Sequence, residues 1–205
     1  MAAGKGKKVF LGAIGADNPV FAQILGICST LAVTNNFRNT LVMSLGVLFT
    51  TTLSGFTVSL LRKAIPSRVR MMAETLIIAS YVIIVDIVLK AYLPEVSRQL
   101  GPYVGLIITN CIIMGRAEAF ALNNPPGLSL IDGIASGIGY SYVLLIIAFF
   151  RELMGAGTIL GFQVLGDWWT PWAIMVMPPG AFFMLGIFVW VVKGAILTEK
   201  EEATS

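Results

Sequence analysis

Residues 105–120 read GLIITNCIIMGRAEAF, an apolar run with a cysteine near its middle that breaks off into Arg116 and Glu118. A helix rising 1.5 Å per residue needs about 20 apolar residues to cross about 30 Å of hydrocarbon. The apolar segment that holds this run, 102–115, is too short to do so alone. A second stretch carries the same punctuation. Laid over each other, NPVFAQILGIC (18–28) and GPYVGLIITNC (101–111) match at the proline and at the cysteine, with eight residues between them in each. The chain therefore reads as duplicated. In both copies a capping residue, Asn18 or Gly101, precedes a proline suited to the first helical position, which predicts helix starts at Pro19 and Pro102. Counting from there puts Cys28 and Cys111 about 13–14 Å along their helices, near half the hydrocarbon thickness.

Composition fixes the solvent. Of 205 residues, 57% are hydrophobic and 12% charged, with no histidine, a balance that a domain with a water-facing surface does not reach. Six hydrophobic segments can be drawn, at 19–34, 39–61, 71–92, 102–115, 128–150 and 174–193. Strand-like alternation is absent, so the spans are helices and the class is an all-α polytopic membrane protein. Three segments per copy is an odd number, so the copies must be inverted in the membrane. The expectation is six transmembrane helices as a 3+3 inverted repeat, with helices 1 and 4 short or broken half-helices meeting at the midplane. This divides the chain into a basic arm (1–17), a first repeat (18–97), a second repeat (98–195) and a tail (196–205). A weaker match, SLLRK (59–63) with AFFRE (148–152), marks the end of the second helix in each copy.

Orientation follows from basic residues. With six crossings, one side holds Lys5, Lys7, Lys8, Arg62, Lys63, Arg68, Arg70, Arg116, Lys193 and Lys200, against Arg38, Lys90, Arg98 and Arg151 opposite. Both termini and the 62–70 and 116–127 loops are expected on the cytoplasmic side. Trp168, Trp169, Trp172, Tyr92 and Tyr103 then fall at the outer interface, where amphipathic rings settle. The lysine-rich start imitates a secretory signal, but VFLGAIGA is a minimal apolar core and another hydrophobic span follows it, so a surface-lying arm is expected. A net charge of +3 drawn from inter-span loops gives no nucleic-acid footprint. Gly133–Gly137, GIASG, offers a close-packing face, and Thr50, Thr51, Thr52 and Ser54 offer hydroxyls for hydrogen bonds between helices.

Three fates are open to the paired thiols. Each cysteine can be a small buried hydrophobe, the two can form a disulfide, or they can bind metal. Thiolates favour zinc, cuprous copper and iron–sulfur clusters, but such sites want four ligands and this chain has two cysteines and no histidine. A partner would have to supply the rest.

The segments NPVFAQILGICSTLAVT, VIIVDIVLKAY, GLIITNCIIMGRAEAFALNNPP and AFFRELMGAG resemble the D subunits of bacterial sodium-translocating NADH:quinone oxidoreductases. GRAEAF after a TNC cysteine is specific to this family, and the likeness runs from about 18 to 190. Its relatives are the E subunits of the same six-subunit complex and the matching subunits of the ion-translocating ferredoxin:NAD oxidoreductase. The resemblance implies a multi-pass protein of the bacterial inner membrane. It implies that Cys28 and Cys111 ligate a [2Fe-2S] cluster shared with two cysteines of the paralogous E-type subunit. Electrons from NADH would cross the membrane there on their way to quinone while sodium is exported. NAD, flavin and quinone would be bound by other subunits; GIASGIG lies in a membrane helix and is no dinucleotide fingerprint. Two other readings stay open: a self-contained inverted-repeat ion transporter with non-redox cysteines, and a scaffold for neighbouring subunits.

Ionisable residues inside spans point to function by default. Asp86 and Asp132 are the candidates for sodium translocation. Asp86 lies four residues before Lys90, a spacing that predicts a pair, and Asp132 falls early in its helix. Glu74 is expected to pair with Arg70, Arg116 and Glu118 to lie in a loop or protein interface, and Arg151 and Glu152 to mark an interface.

Overall fold

The computed structural model describes residues 20, 25–155, 157–159, 162–163, 172, 174 and 177–202. The arm 1–17, Pro19, Trp168 and Trp169 lie outside them. The α-helices whose bounds are described follow in order: α1 (Ile27–Val33), α2 (Phe37–Leu61), α3 (Arg70–Tyr92), α4 (Pro94–Ile108), α5 (Cys111–Arg116), α6 (Pro126–Gly155) and α7 (Pro178–Glu202). Two two-residue strands, Thr158–Ile159 and Phe162–Gln163, pair antiparallel beyond α6. Among the described residues four stretches are long and apolar enough to cross a membrane: Phe37–Leu61, Arg70–Tyr92, Gly101–Ala121 and Pro126–Gly155; the apolar part of α7, Pro178–Gly194, is shorter. The architecture is that of a polytopic helical membrane protein. Segments 39–61, 71–92 and 128–150 are recovered as α2, α3 and α6, with α6 running on to Gly155. The expected tail from 196 is helical as far as Glu202.

The fourth segment departs from expectation. Its helix starts at Pro94, not Pro102, because Pro94 already occupies the first helical position directly after Leu93. Pro102 sits inside α4; a proline there forgoes one bond to the preceding turn, a loss membrane helices absorb locally. Nor does the segment stop after residue 115. The chain breaks at Thr109 and Asn110, resumes as α5, and continues through a π-helical turn over Ala117–Ala121. Residues 116–121, expected as the start of a loop, are helical and complete the 21-residue span Gly101–Ala121. Composition alone ended the span at Arg116 because the charge looked unsheltered; in the fold it is paired.

α2 and α6 form the centre of the bundle. Cβ atoms built on Gly133 and Gly137 would lie 2.9 Å from Thr52 Cα and 2.5 Å from Leu48 Cδ1, so the GIASG face admits the α2 backbone directly. Across the same seam Ser129 Oγ donates to the Gly55 carbonyl at 2.9 Å. The α2 hydroxyls behave differently from expectation. Thr51, Thr52 and Ser54 donate to the carbonyls of Val47, Leu48 and Thr51 in their own helix. A carbonyl one turn back is always within reach of such a side chain, whereas a second helix must be brought there. Thr50 Oγ1 is buried without a partner among the described residues.

Both long helices end in an arginine that grips the linker leading into the other. At the end of α2, Arg62 Nη1 donates to the Asn124 carbonyl at 3.0 Å, joined by Ser59 Oγ at 2.7 Å. At the end of α6, Arg151 donates to Thr34 Oγ1 and to the Met177 carbonyl, while Glu152 Oε2 accepts from the Phe37 backbone N–H that opens α2 at 2.6 Å. Arg151 and Glu152 are thus buried within the chain instead of on an outer interface.

Gly133→Val should force α2 and α6 apart and cost roughly 1–3 kcal/mol. The expected outcome is a lower melting temperature of the purified protein in detergent, with Gly127→Ala, which meets nothing within 4 Å, unchanged. A wild-type melting curve for Gly133→Val would contradict the close α2–α6 contact.

Candidate functional site

Cys28 and Cys111 sit at matching places, each in the first turn of a short helix that opens after two non-helical residues. Before Cys28, Gly26 takes φ 88°, a left-handed conformation natural to glycine, and caps α1. Before Cys111, Asn110 caps α5, its side chain accepting from the Ile112 N–H at 3.2 Å. The spacing from Pro19 predicts Cys28 nine residues into a continuous helix, but Leu25 and Gly26 lie outside any helix. Cys111 likewise heads α5 and does not continue α4.

The two turns meet. The Gly26 N–H donates to Cys111 Sγ at 2.9 Å, and the two thiols are close enough to act on each other electrostatically. No disulfide joins them; Cys28 is exposed and Cys111 half-buried. Among the described residues no three of His, Cys, Asp and Glu converge as a metal site. The donor set fits half of a four-thiolate iron centre: two sulfurs at one spot, one of them uncovered by this chain, in a chain with no histidine.

Behind the thiols lies a polar cluster that the sequence pattern does not single out. Ser29, Asn110 and Tyr140 are fully buried. Ser29 Oγ donates to the Gly26 carbonyl at 3.1 Å, receives Asn110 Nδ2 at 3.4 Å and hydrogen-bonds the Tyr140 hydroxyl. The signal available in sequence is Tyr140 itself, a phenol in mid-helix that must find a partner when buried.

The candidate carboxylates divide. Asp132, 2% exposed, is held in a two-pronged pair by Arg116, Nε to Oδ2 at 3.0 Å and Nη2 to Oδ1. Beside the pair is a cavity of about 10 Å³ lined by Thr51, Ile113, Ser129 and Gly133 with Arg116 and Asp132. That is room for one water-sized particle. Asp86 pairs with Lys90 at 2.6 Å, as the spacing predicts, with Lys90 Nζ reaching outward. The expected Glu74–Arg70 pair is absent: Arg70 turns to Glu118 at 3.9 Å, and Glu74 is buried with Oε1 unpartnered among the described residues. Asp86 and Asp132 therefore do not share one site, and neither carboxylate joins the cysteines.

Residues 7–189 match the family model described as "Rnf-Nqr subunit, membrane protein". The chain is also 46% identical over 192 residues, 91% of each sequence, to a protein of Pseudoalteromonas translucida (strain TAC 125) that is named as a D-type subunit of the Na(+)-translocating NADH-quinone reductase. The resemblance carried by the TNC cysteine and GRAEAF is borne out across nearly the whole chain, and the protein belongs to the Rnf-Nqr family of membrane subunits.

Proposed function

We propose that this chain is a membrane subunit of a sodium-translocating NADH:quinone oxidoreductase in the bacterial inner membrane, and that Cys28 and Cys111 are half of an iron–sulfur site completed by two cysteines of the paralogous E-type subunit. The observation that carries this is the meeting of two thiols at the starts of two short helices, with Cys28 left uncovered. A [2Fe-2S] cluster bound there would supply a one-electron carrier within the membrane. The chain's own part is to present the ligands. The two helix starts bring both sulfurs to one place, and the Gly26 N–H spreads the charge of a Cys111 thiolate. Buried apolar side chains, Ile112 and Ile113 among them, keep water from the inner side.

The same reading makes the chain a 3+3 inverted repeat, 18–97 and 98–195, between a cytoplasmic arm 1–17 and a cytoplasmic tail. Support comes from paired features: two non-helical residues before the helix of each cysteine, and Arg62 and Arg151 at matching helix ends, each holding the linker into the other long helix. Sodium would be handled by Asp132 and Asp86. The one-particle cavity beside Asp132 supports the former, provided Arg116 yields the carboxylate to a passing ion. NADH, flavin and quinone would be served by other subunits of the six-subunit complex.

Replacing Cys28 or Cys111 by Ala in the intact complex should remove iron and acid-labile sulfide and abolish electron transfer to quinone. Unchanged iron and turnover would sink the ligand assignment, and lost assembly with an intact iron signal would favour a scaffold.

Asp132→Asn should weaken sodium stimulation of turnover by about tenfold and also destabilise the protein, since it strands the Arg116 charge, a loss typically of about 3–5 kcal/mol. The double variant Arg116→Gln/Asp132→Asn should regain stability without regaining sodium dependence. If sodium dependence survives in the double variant and in Asp86→Asn, both aspartates are structural.

A further inference from the structure

Ser29 in α1, Asn110 at the cap of α5 and Tyr140 in α6 form one buried network around the two cysteine turns. Serine has one proton to give and two lone pairs to receive. The inventory closes if the Ser29 proton goes to the Gly26 carbonyl while its Oγ accepts from Asn110 Nδ2 and from the Tyr140 hydroxyl. Gly26 in turn donates to Cys111 Sγ, so the chain of bonds runs from Tyr140 through Ser29 and Gly26 to the sulfur. The ring matters as well as the hydroxyl. A Cβ at Gly26 would lie 2.6 Å from Tyr140 Cε2, so the left-handed turn is seated against the aromatic ring. On the other side, Asn110 joins the same Ser29 to the first turn of α5 through its bond to the Ile112 N–H.

We propose that Tyr140 is the positioning residue of the redox site: its ring seats the Gly26 turn, and its hydroxyl, through Ser29, fixes the spacing of the two cysteine turns and the aim of the Gly26 N–H at Cys111. This rests on the assignment of Cys28 and Cys111 as iron ligands. Hydrogen bonds to cluster sulfurs set reduction potential, so a change in that N–H···S bond is read at the metal centre itself. A residue that merely filled space would leave the potential alone.

The test uses the purified complex with Tyr140→Phe, Ser29→Ala and the double variant, each measured for iron and sulfide content, paramagnetic resonance spectrum and midpoint potential. The phenylalanine ring keeps the seat for Gly26, so iron content should stay at the wild-type level. The reduction equilibrium of the centre should shift by about three- to tenfold in either single variant, in the same direction, the scale of weakening the one hydrogen bond from Gly26 to the sulfur. The double variant should shift no further, because both changes cut the same chain. Tyr140→Ala, which removes the ring too, should lose the centre. Wild-type spectra and potentials in both single variants, or strictly additive shifts in the double, would overturn the proposal. Cys111→Ala separates the two levels: if it retains iron, the ligand assignment fails and the positioning role with it. If it loses iron while Tyr140→Phe and Ser29→Ala behave as wild type, only the positioning role fails.

Discussion

Interrupting a helix inside a bilayer strands backbone N–H and C=O groups where no water can satisfy them, at several kcal/mol each. The buried non-helical residues before the two cysteines, Gly26 and Asn110, face the same constraint, and the polar groups packed around them answer it. At the first, the Gly26 carbonyl accepts from the Thr30 backbone and from the Ser29 and Thr30 hydroxyls, and the Gly26 N–H goes to Cys111 Sγ. At the second, the Asn110 carbonyl accepts from Ile113 and Met114, and its side chain accepts from Ile112 and donates to Ser29. Two of these bonds cross between the turns, Gly26 to Cys111 and Asn110 to Ser29, which ties the geometry of the thiol pair to the packing of α1 against α5.

Charges inside the membrane obey the same constraint. Arg116 is sheltered by Asp132, Arg151 by Thr34 and the Met177 carbonyl, and Glu152 by the Phe37 N–H. Each also welds two elements that apolar packing alone would leave free to slide. Glu74 is the exception in this set, its buried Oε1 lacking a hydrogen-bond partner among the described residues.

The fold was legible where the signal was local. Long apolar runs bounded by Pro, Gly and charge gave α2, α3 and α6 to within a few residues, and the shared proline-to-cysteine spacing singled out the two thiols that the structure brings together. What was illegible depended on distant partners. Arg116 looked like the end of a span because its counter-ion lies sixteen residues away on another helix. Helical spacing pairs Arg70 with Glu74, but Glu118 from the π-helical turn competes for it. The helix start at Pro102 was misplaced because Pro94 offered the same signal earlier, and a sequence does not rank two such starts. Tyr140 does not stand out because aromatic residues in apolar helices are common and only the fold reveals which one stands against Gly26.

The thiol site and the ion pair are joined through α6. Asp132 and Tyr140 are eight residues apart and so lie on the same side of that helix, about 12 Å from each other. α5 begins at Cys111 and ends at Arg116. Its head is bound to α6 through Asn110, Ser29 and Tyr140, and its tail through Arg116 and Asp132. α6 is itself held to α2 by the glycine seam, which leaves it little freedom to move. The short cysteine-bearing helix is therefore a rod pinned at both ends to a rigid neighbour. At its Arg116 end α5 also runs on without a break into the π-helical turn, whose Ala117 and Ala121 pack with Val58 of α2, so the backbone and the ion pair together hold that end, and α6 sets where Cys111 and Asp132 stand relative to one another.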